Sequence, residues 1–196
     1  MISAQQLSLD QLEAGESYEK CHFTYSDEKL SFAEVSLKNC TFDQSDFSHS
    51  EWDNCVFEGC EFLNNTFTES FFYQTEFRKC RLMGADLSGS TLLKSTIVDS
   101  KADYLNLSAT KLEECSFLDS SLQEAYFQEV KIKKGLTFQR CDLNGTDFLG
   151  TPLKGVDLSN SFFDSLNVDP RLLKGCQISI PQAAVFVGLL GIKFKE

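Results

Sequence analysis

Eight cysteines and a surplus of carboxylates are the residues in this chain that could do chemistry. Cys40, Cys60 and Cys80 recur every 20 residues, so a stacked structure would set three thiols in one column. Such a column could ligate a metal or close a disulfide. No Cys-x-x-Cys pair or histidine accompanies it. Parallel side chains about 4.8 Å apart are also poorly aimed at each other for a disulfide. His22 and His49 sit in no nucleophile or metal motif, and no glycine-rich loop suits a phosphate. Glu51 and Asp53 sit on opposite shoulders of one outward face, without a pocket to shift their pKa. These residues imply no catalytic, cofactor-binding or metal site, and so no enzyme and no cofactor.

The carboxylates carry more information. Asp and Glu number 29 against 18 Lys and Arg, a net charge of −11, which argues against direct nucleic-acid binding. Within residues 39–77 stand Asp43, Asp46, Glu51, Asp53, Glu58, Glu61, Glu69 and Glu76, with no Lys or Arg among them. A run of this kind is either a solvated face or a partner-binding one. No apolar run is long enough to cross a membrane. Residues 1–10 lack the basic start and apolar stretch of a signal peptide, so a cytoplasmic protein is expected.

What positions these groups is a repeat. From Phe32, every fifth residue to Ile132 is apolar, and after one extra residue near Lys134 and Gly135 the step resumes from Phe138 to Val168. Phe and Leu dominate the set. A period of five fits neither a strand nor a helix alone. Two residues before each centre the chain is mostly small, or Cys or Thr, with exceptions such as Leu30, Asn65 and Leu105. Neither set contains Asp, Glu, Lys or Arg, as expected of inward positions where unpaired charge is costly. Each five-residue unit is then one side of a square coil, and units 20 residues apart stack backbone to backbone. Seven coils span roughly 34 Å at that spacing. Cys40, Cys55, Cys60, Cys80, Cys115 and Cys141 fall at the small inward position, as do Cys21 before Phe23 and Cys176 before Ile178. There they serve as small core fillers.

The units 55–59, 85–89 and 146–150 (CVFEG, ADLSG and TDFLG) resemble the A(D/N)LXX unit of the pentapeptide repeat family. That resemblance implies an all-β fold, a right-handed quadrilateral parallel β-helix, over residues 18–168. Residues 1–17 are expected to cap its first coil, with residues 26–30 looping out. The basic insertion around 131–135 reads as a one-residue bulge or a projecting contact loop. Residues 169–196 form a C-terminal cap: a short helix near 180–190 with Pro181 in its first turn, then strand-like alternation at 192–194.

Residues 179–183 and 189–192 further resemble the C-terminal ends of the gyrase-protecting subgroup of that family, the quinolone-resistance proteins and the self-immunity proteins against albicidin and microcin. The resemblance implies a homodimer joined through Ile180, Val185, Phe186, Leu189, Leu190, Ile192 and Phe194. It also implies DNA gyrase or topoisomerase IV as partner, met by an acidic rod that mimics duplex DNA. The long loops of the plasmid-borne members are absent here. The competing reading is a scaffolding protein that binds another partner through its acidic faces.

Overall fold

The computed structural model describes residues 1–189, 191 and 192. The chain winds into a parallel β-solenoid of about seven coils, closed by one short helix. We name its four faces by their first regular inward residues: Phe32, Leu37, Phe42 and Phe47. The Leu37 face carries an eight-stranded sheet from Ile2–Ser3 to Thr137–Gln139, and the Phe32 face a six-stranded sheet from Ser31–Ala33 to Lys131–Lys134. The Phe42 face opens with three strands, Gln6–Ser8, His22–Thr24 and Thr41–Phe42. It continues as single bridges such as Glu61 to Arg81, and the Phe47 face is built of the same, such as Asp46 to Thr66.

The five-residue period produces this geometry through its corners. The last residue of nearly every unit is left-handed, for example Asn39, Asn54, Glu69, Tyr104 and Glu129. Each such residue turns the chain about a quarter of the way round and aims the next two inward positions at the axis. Non-glycine residues adopt this conformation at a cost of about 1 kcal/mol or more, which the stacked ladders must offset. Register is held at 20 residues, as in Phe72 beside Leu92. It is 19 in the first coil, where Tyr18 pairs Leu37, and 21 after the insertion, where Phe117 pairs Phe138. The insertion is therefore a bulge in Lys131–Lys134, seen as a register shift opposite Leu112 and Glu113.

Two stacks of rings fill the axis, separated by an aliphatic stretch from Leu82 to Leu112. Phe47 lies on Phe67 at 4.7 Å and Phe57 on Phe77 at 4.9 Å in the early coils. Phe117 lies on Phe138 and Phe127 on Phe148, both at 5.2 Å, in the later ones. Among the centres, only Phe42 and Ile132 are half-buried rather than buried.

The small inward column does more than fill space. Cys60 Sγ donates to the Leu37 carbonyl at 3.4 Å and Cys80 Sγ to that of Phe57 at 3.4 Å. Ser70 Oγ donates to the Phe47 carbonyl at 3.1 Å. Cys, Ser and Thr interchange because each offers one donor to the coil beneath. Trp52 fits among the rings because its Nε1 donates to Ser50 Oγ at 2.8 Å. Burial pushes the thiols of Cys40 and Cys80 up to about 11 and that of Cys60 higher still, so all three stay protonated and unreactive. The described residues contain no disulfide and no metal-ligand cluster.

Three expectations need correction. Ser45 is exposed and Gln44 is buried in its place. Residues 25–30 cross the Phe47 face without strand or bridge, and the Gln44 amide satisfies what they leave open. Its Oε1 accepts from Ser26 N at 3.3 Å and its Nε2 donates to the Asp46 carbonyl at 2.6 Å. Cys176 is half-buried and Ile178 exposed, because no further coil covers them. Residues 1–8 contribute two strands of a partial coil of their own, paired to Ser17–Glu19 and His22–Thr24.

Candidate functional site

The eight carboxylates of residues 39–77 do not share one face. The 20-residue winding sets Glu51 and Asp53 on the Phe32 face and Glu58 and Glu76 on the Leu37 face. Asp43 and Glu61 fall on the Phe42 face and Asp46 and Glu69 on the Phe47 face. Together they ring the early coils. Most have a basic neighbour from elsewhere in the chain. Glu51 meets Lys29 at 3.0 Å, Glu58 meets Lys38 at 3.6 Å, Glu61 meets Arg81 at 2.7 Å and Glu76 meets Arg78 at 2.5 Å. Asp43 lies 3.2 Å from His22 and Glu69 3.5 Å from His49. All are solvent-screened pairs worth little individually.

One face is different along its whole length. The outward positions of the Phe47 face carry Asp46, Glu69, Asp86, Glu129, Asp147 and Asp169, and from 46 to 169 not one Lys or Arg. Six coil steps from Asp46 to Asn167 cover about 29 Å. The aspartates are fixed by local hydrogen bonds: Ser48 N, Ser88 N and Leu149 N donate to Asp46, Asp86 and Asp147 at 2.9, 2.8 and 2.8 Å. The Ser48 hydroxyl and N–H hold the Asp46 carboxyl below its usual range, so Asp46 stays ionised at neutral pH. Arg171, just past its end, pairs with Asp169 at 2.7 Å.

The C-terminal segment covers the last coil. A 3-10 turn, Pro170–Leu172, is capped by Asp169, and the helix spans Ala183–Leu189. Gln182 is the plug: its Nε2 donates to the carbonyls of Leu158 and Ser161 at 2.9 and 2.7 Å, while its Oε1 accepts from Ser179 N at 2.8 Å. Of the residues expected at a dimer joint, Val185 and Phe186 pack against the core, Phe186 edge-on to Phe163 at 5.9 Å. Ile180 is 91% exposed, and Leu189 and Ile192 are exposed as well. Leu190 and Phe194, and most of the expected strand at 192–194, lie outside the described residues; Ile192 itself is not in a strand. No described helix is long and apolar enough to cross a membrane.

These features define a class, the square parallel β-solenoids. Residues 72–148 match the family described as pentapeptide repeat region, so that stretch carries this family's repeat. No curated protein sequence matches it. Among solved structures, a trypsin-treated form of QnrB1, a plasmid-mediated fluoroquinolone resistance protein, aligns with TM-score 0.51 at 22% identity, covering 99% of this chain and 98% of that one. Full-length QnrB1 gives 0.44 at 20% identity over 97% of each chain. HetL, a pentapeptide repeat protein involved in heterocyst differentiation regulation in the cyanobacterium Nostoc sp., gives 0.37 at 13% identity over 90% and 86%. At 22% identity, the first of these is a likeness of fold.

Proposed function

We propose that this protein binds a type II topoisomerase, DNA gyrase or topoisomerase IV, and protects it from inhibitors such as quinolones or peptide toxins. In this reading it acts in the cytoplasm as an acidic rod that occupies the enzyme's cationic DNA-binding surface. The observation that carries the reading is the Phe47 face, which over about 29 Å bears six carboxylates and no Lys or Arg. Low-dielectric walls lined with one sign of charge draw such a surface in, and the attraction weakens with salt. The fold shared with a fluoroquinolone resistance protein supports the choice of partner. A second copy, joined through the exposed Ile180, Leu189 and Ile192 end, would extend the rod to at least roughly 70 Å.

The test is a supercoiling assay. Purified protein should relieve inhibition of gyrase by a quinolone or peptide toxin, or itself inhibit supercoiling. No effect on gyrase or topoisomerase IV at concentrations well above the enzyme's overturns the proposal. The second reading, a scaffold without a topoisomerase partner, draws on the ion pairs that neutralise much of residues 39–77. Charge reversal confined to the Phe47 face separates the two.

A further inference from the structure

The solenoid wall is open on the Phe32 face, late in the rod. On the Phe32 face the sheet stops at Lys131–Lys134, although the chain returns to that face at residues 151–155. Among the described residues no backbone hydrogen bond or bridge joins 131–135 to 151–155. Pro152 has no N–H and stands where every other coil donates to the coil beneath, as Lys131 N donates to the Thr110 carbonyl at 2.8 Å. Leu153 N and Gly155 N donate onward to the carbonyls of Leu172 and Gly175 at 3.0 and 2.9 Å, as the matching positions of other coils do, so the break lies only on the side facing 131–135. A Cβ placed on Gly155 would meet nothing within 4 Å, whereas one on Gly150 would sit 3.1 Å from Glu129 Cγ. The coils therefore stack normally up to residue 150 and part just after it.

The gap leaves a strand edge in the middle of the rod. Lys131 N is bonded to Thr110, and Lys134 O accepts from Glu114 N at 2.6 Å. By the alternation of a parallel ladder, the N–H and C=O of Ile132 face the opening. A cleft of about 540 Å³ lies there, lined by Glu129, Val130, Lys131, Ile132, Lys133 and Pro152. Half-buried Ile132 and exposed Pro152 give it an apolar floor.

The charge around this edge is reversed from the rest of the molecule. The outward positions of the Phe32 face from 91 to 134 carry Lys94, Lys111, Lys131, Lys133 and Lys134 against Glu113 and Glu114, and Lys154 stands across the gap. Lys134 pairs with Glu114 at 2.6 Å. Lys111 and Lys131 are directly opposite each other in register, an arrangement that costs stability unless an anion relieves it. Neither they nor Lys133 has a carboxylate within ion-pair distance among the described residues. Glu129 is the acidic group in the cleft itself.

We propose that this edge takes an extended acidic peptide segment of a partner protein by strand addition, with Ile132 supplying the backbone rungs and Lys111, Lys131 and Lys133 pairing with its carboxylates. An unpaired parallel edge offers main-chain affinity, and alternate side chains of the incoming strand offer specificity. The partner's segment must alternate acidic and β-branched residues to match an edge whose outward positions are lysines and whose inward position is apolar.

A fluorescent, capped octapeptide of alternating Glu and Val is the probe, titrated by fluorescence polarisation against the whole protein at low salt. Saturable binding is expected. It should fall about tenfold or more when alternate peptide nitrogens are methylated, and by a similar factor in the Lys131→Glu/Lys133→Glu double variant. Both lysines are exposed, and circular dichroism checks that the variant folds. In the wild type, amide exchange at Ile132 should slow on adding peptide. Failure to saturate by about 1 mM, equal binding of the methylated peptide, or unchanged Ile132 exchange overturns strand addition. Undiminished binding by the folded double variant overturns the assignment of the edge.

Discussion

The early and late coils follow one backbone plan and differ in what they place inside and outside it. From Phe32 to Phe77 the axis is almost wholly aromatic, and the exterior between residues 39 and 77 has carboxylates and no cation. From Leu82 to Leu112 the axis turns aliphatic, and the exterior gains Arg81, Lys94, Lys101 and Lys111. Rings stacked near 4.7 to 4.9 Å match the coil rise, so Phe fills a layer with little void. The interior can thus be exchanged layer by layer while the outer faces vary independently. Stability is written on the axis and, in the proposed function, partner choice on the faces. The Phe47 face crosses the boundary between the two regions without changing sign, and that makes it the candidate surface rather than the early coils as a block.

The largest expected effect is in the core. Phe57→Ala removes a ring packed between Trp52, Phe62 and Phe77 and should cost about 3–5 kcal/mol in urea unfolding. Leu107→Ala in the aliphatic stretch should cost less, about 2–3 kcal/mol. Equal costs would mean the aromatic stack adds nothing beyond buried area. Next, Cys60→Ala strips the donor from the Leu37 carbonyl and should cost about 1–2 kcal/mol more than Cys60→Ser, which keeps it. If Ala is the better tolerated of the two, the column is filler alone.

Outside the core the effects are on function. Glu69→Lys/Glu129→Lys, at corner positions of the Phe47 face that already tolerate Lys elsewhere, should abolish most topoisomerase protection without lowering the melting temperature. The matched pair Glu51→Lys/Glu61→Lys on two other faces should weaken it less. At the C-terminal end, Ile180→Glu/Ile192→Glu should convert a dimer to monomers in sedimentation velocity. A wild type that is already monomeric makes this segment a cap only. The smallest effect is with pH. Asp46, Asp157 and Asp169 are held below their usual range, the first two by Ser48 and Ser159 and the last at about 2 by Arg171. A depressed folded pKa contributes stability above the unfolded value near 4 and loses it as pH falls through the folded one. Thermal melts should therefore be flat above about pH 5 and decline below about pH 4. Asp46→Asn, which keeps the acceptor for Ser48, should shallow that decline.

The square coil was legible because burial selects every inward residue. Phe47, Trp52 and Cys55 show it in one short stretch, and periodicity alone placed them correctly. The deviations were harder because they depend on neighbours one coil away. Gln44 replaces Ser45 inside only because residues 25–30 leave Ser26 N and the Asp46 carbonyl open. The eight carboxylates looked like one face because they are close in sequence, whereas proximity here goes by steps of 20. Counted that way, the row from Asp46 through Asp86 to Asp147 is visible without coordinates. The opening at residue 152 also had a signal, a proline at a position where each coil must donate.

The most direct test of the account is gyrase supercoiling in the presence of a fluoroquinolone, with wild type and Glu69→Lys/Glu129→Lys compared at equal concentration. The account predicts that wild type restores supercoiling, less so as salt rises, and that the reversed face does not. Equal protection by both proteins, or protection by neither, contradicts it.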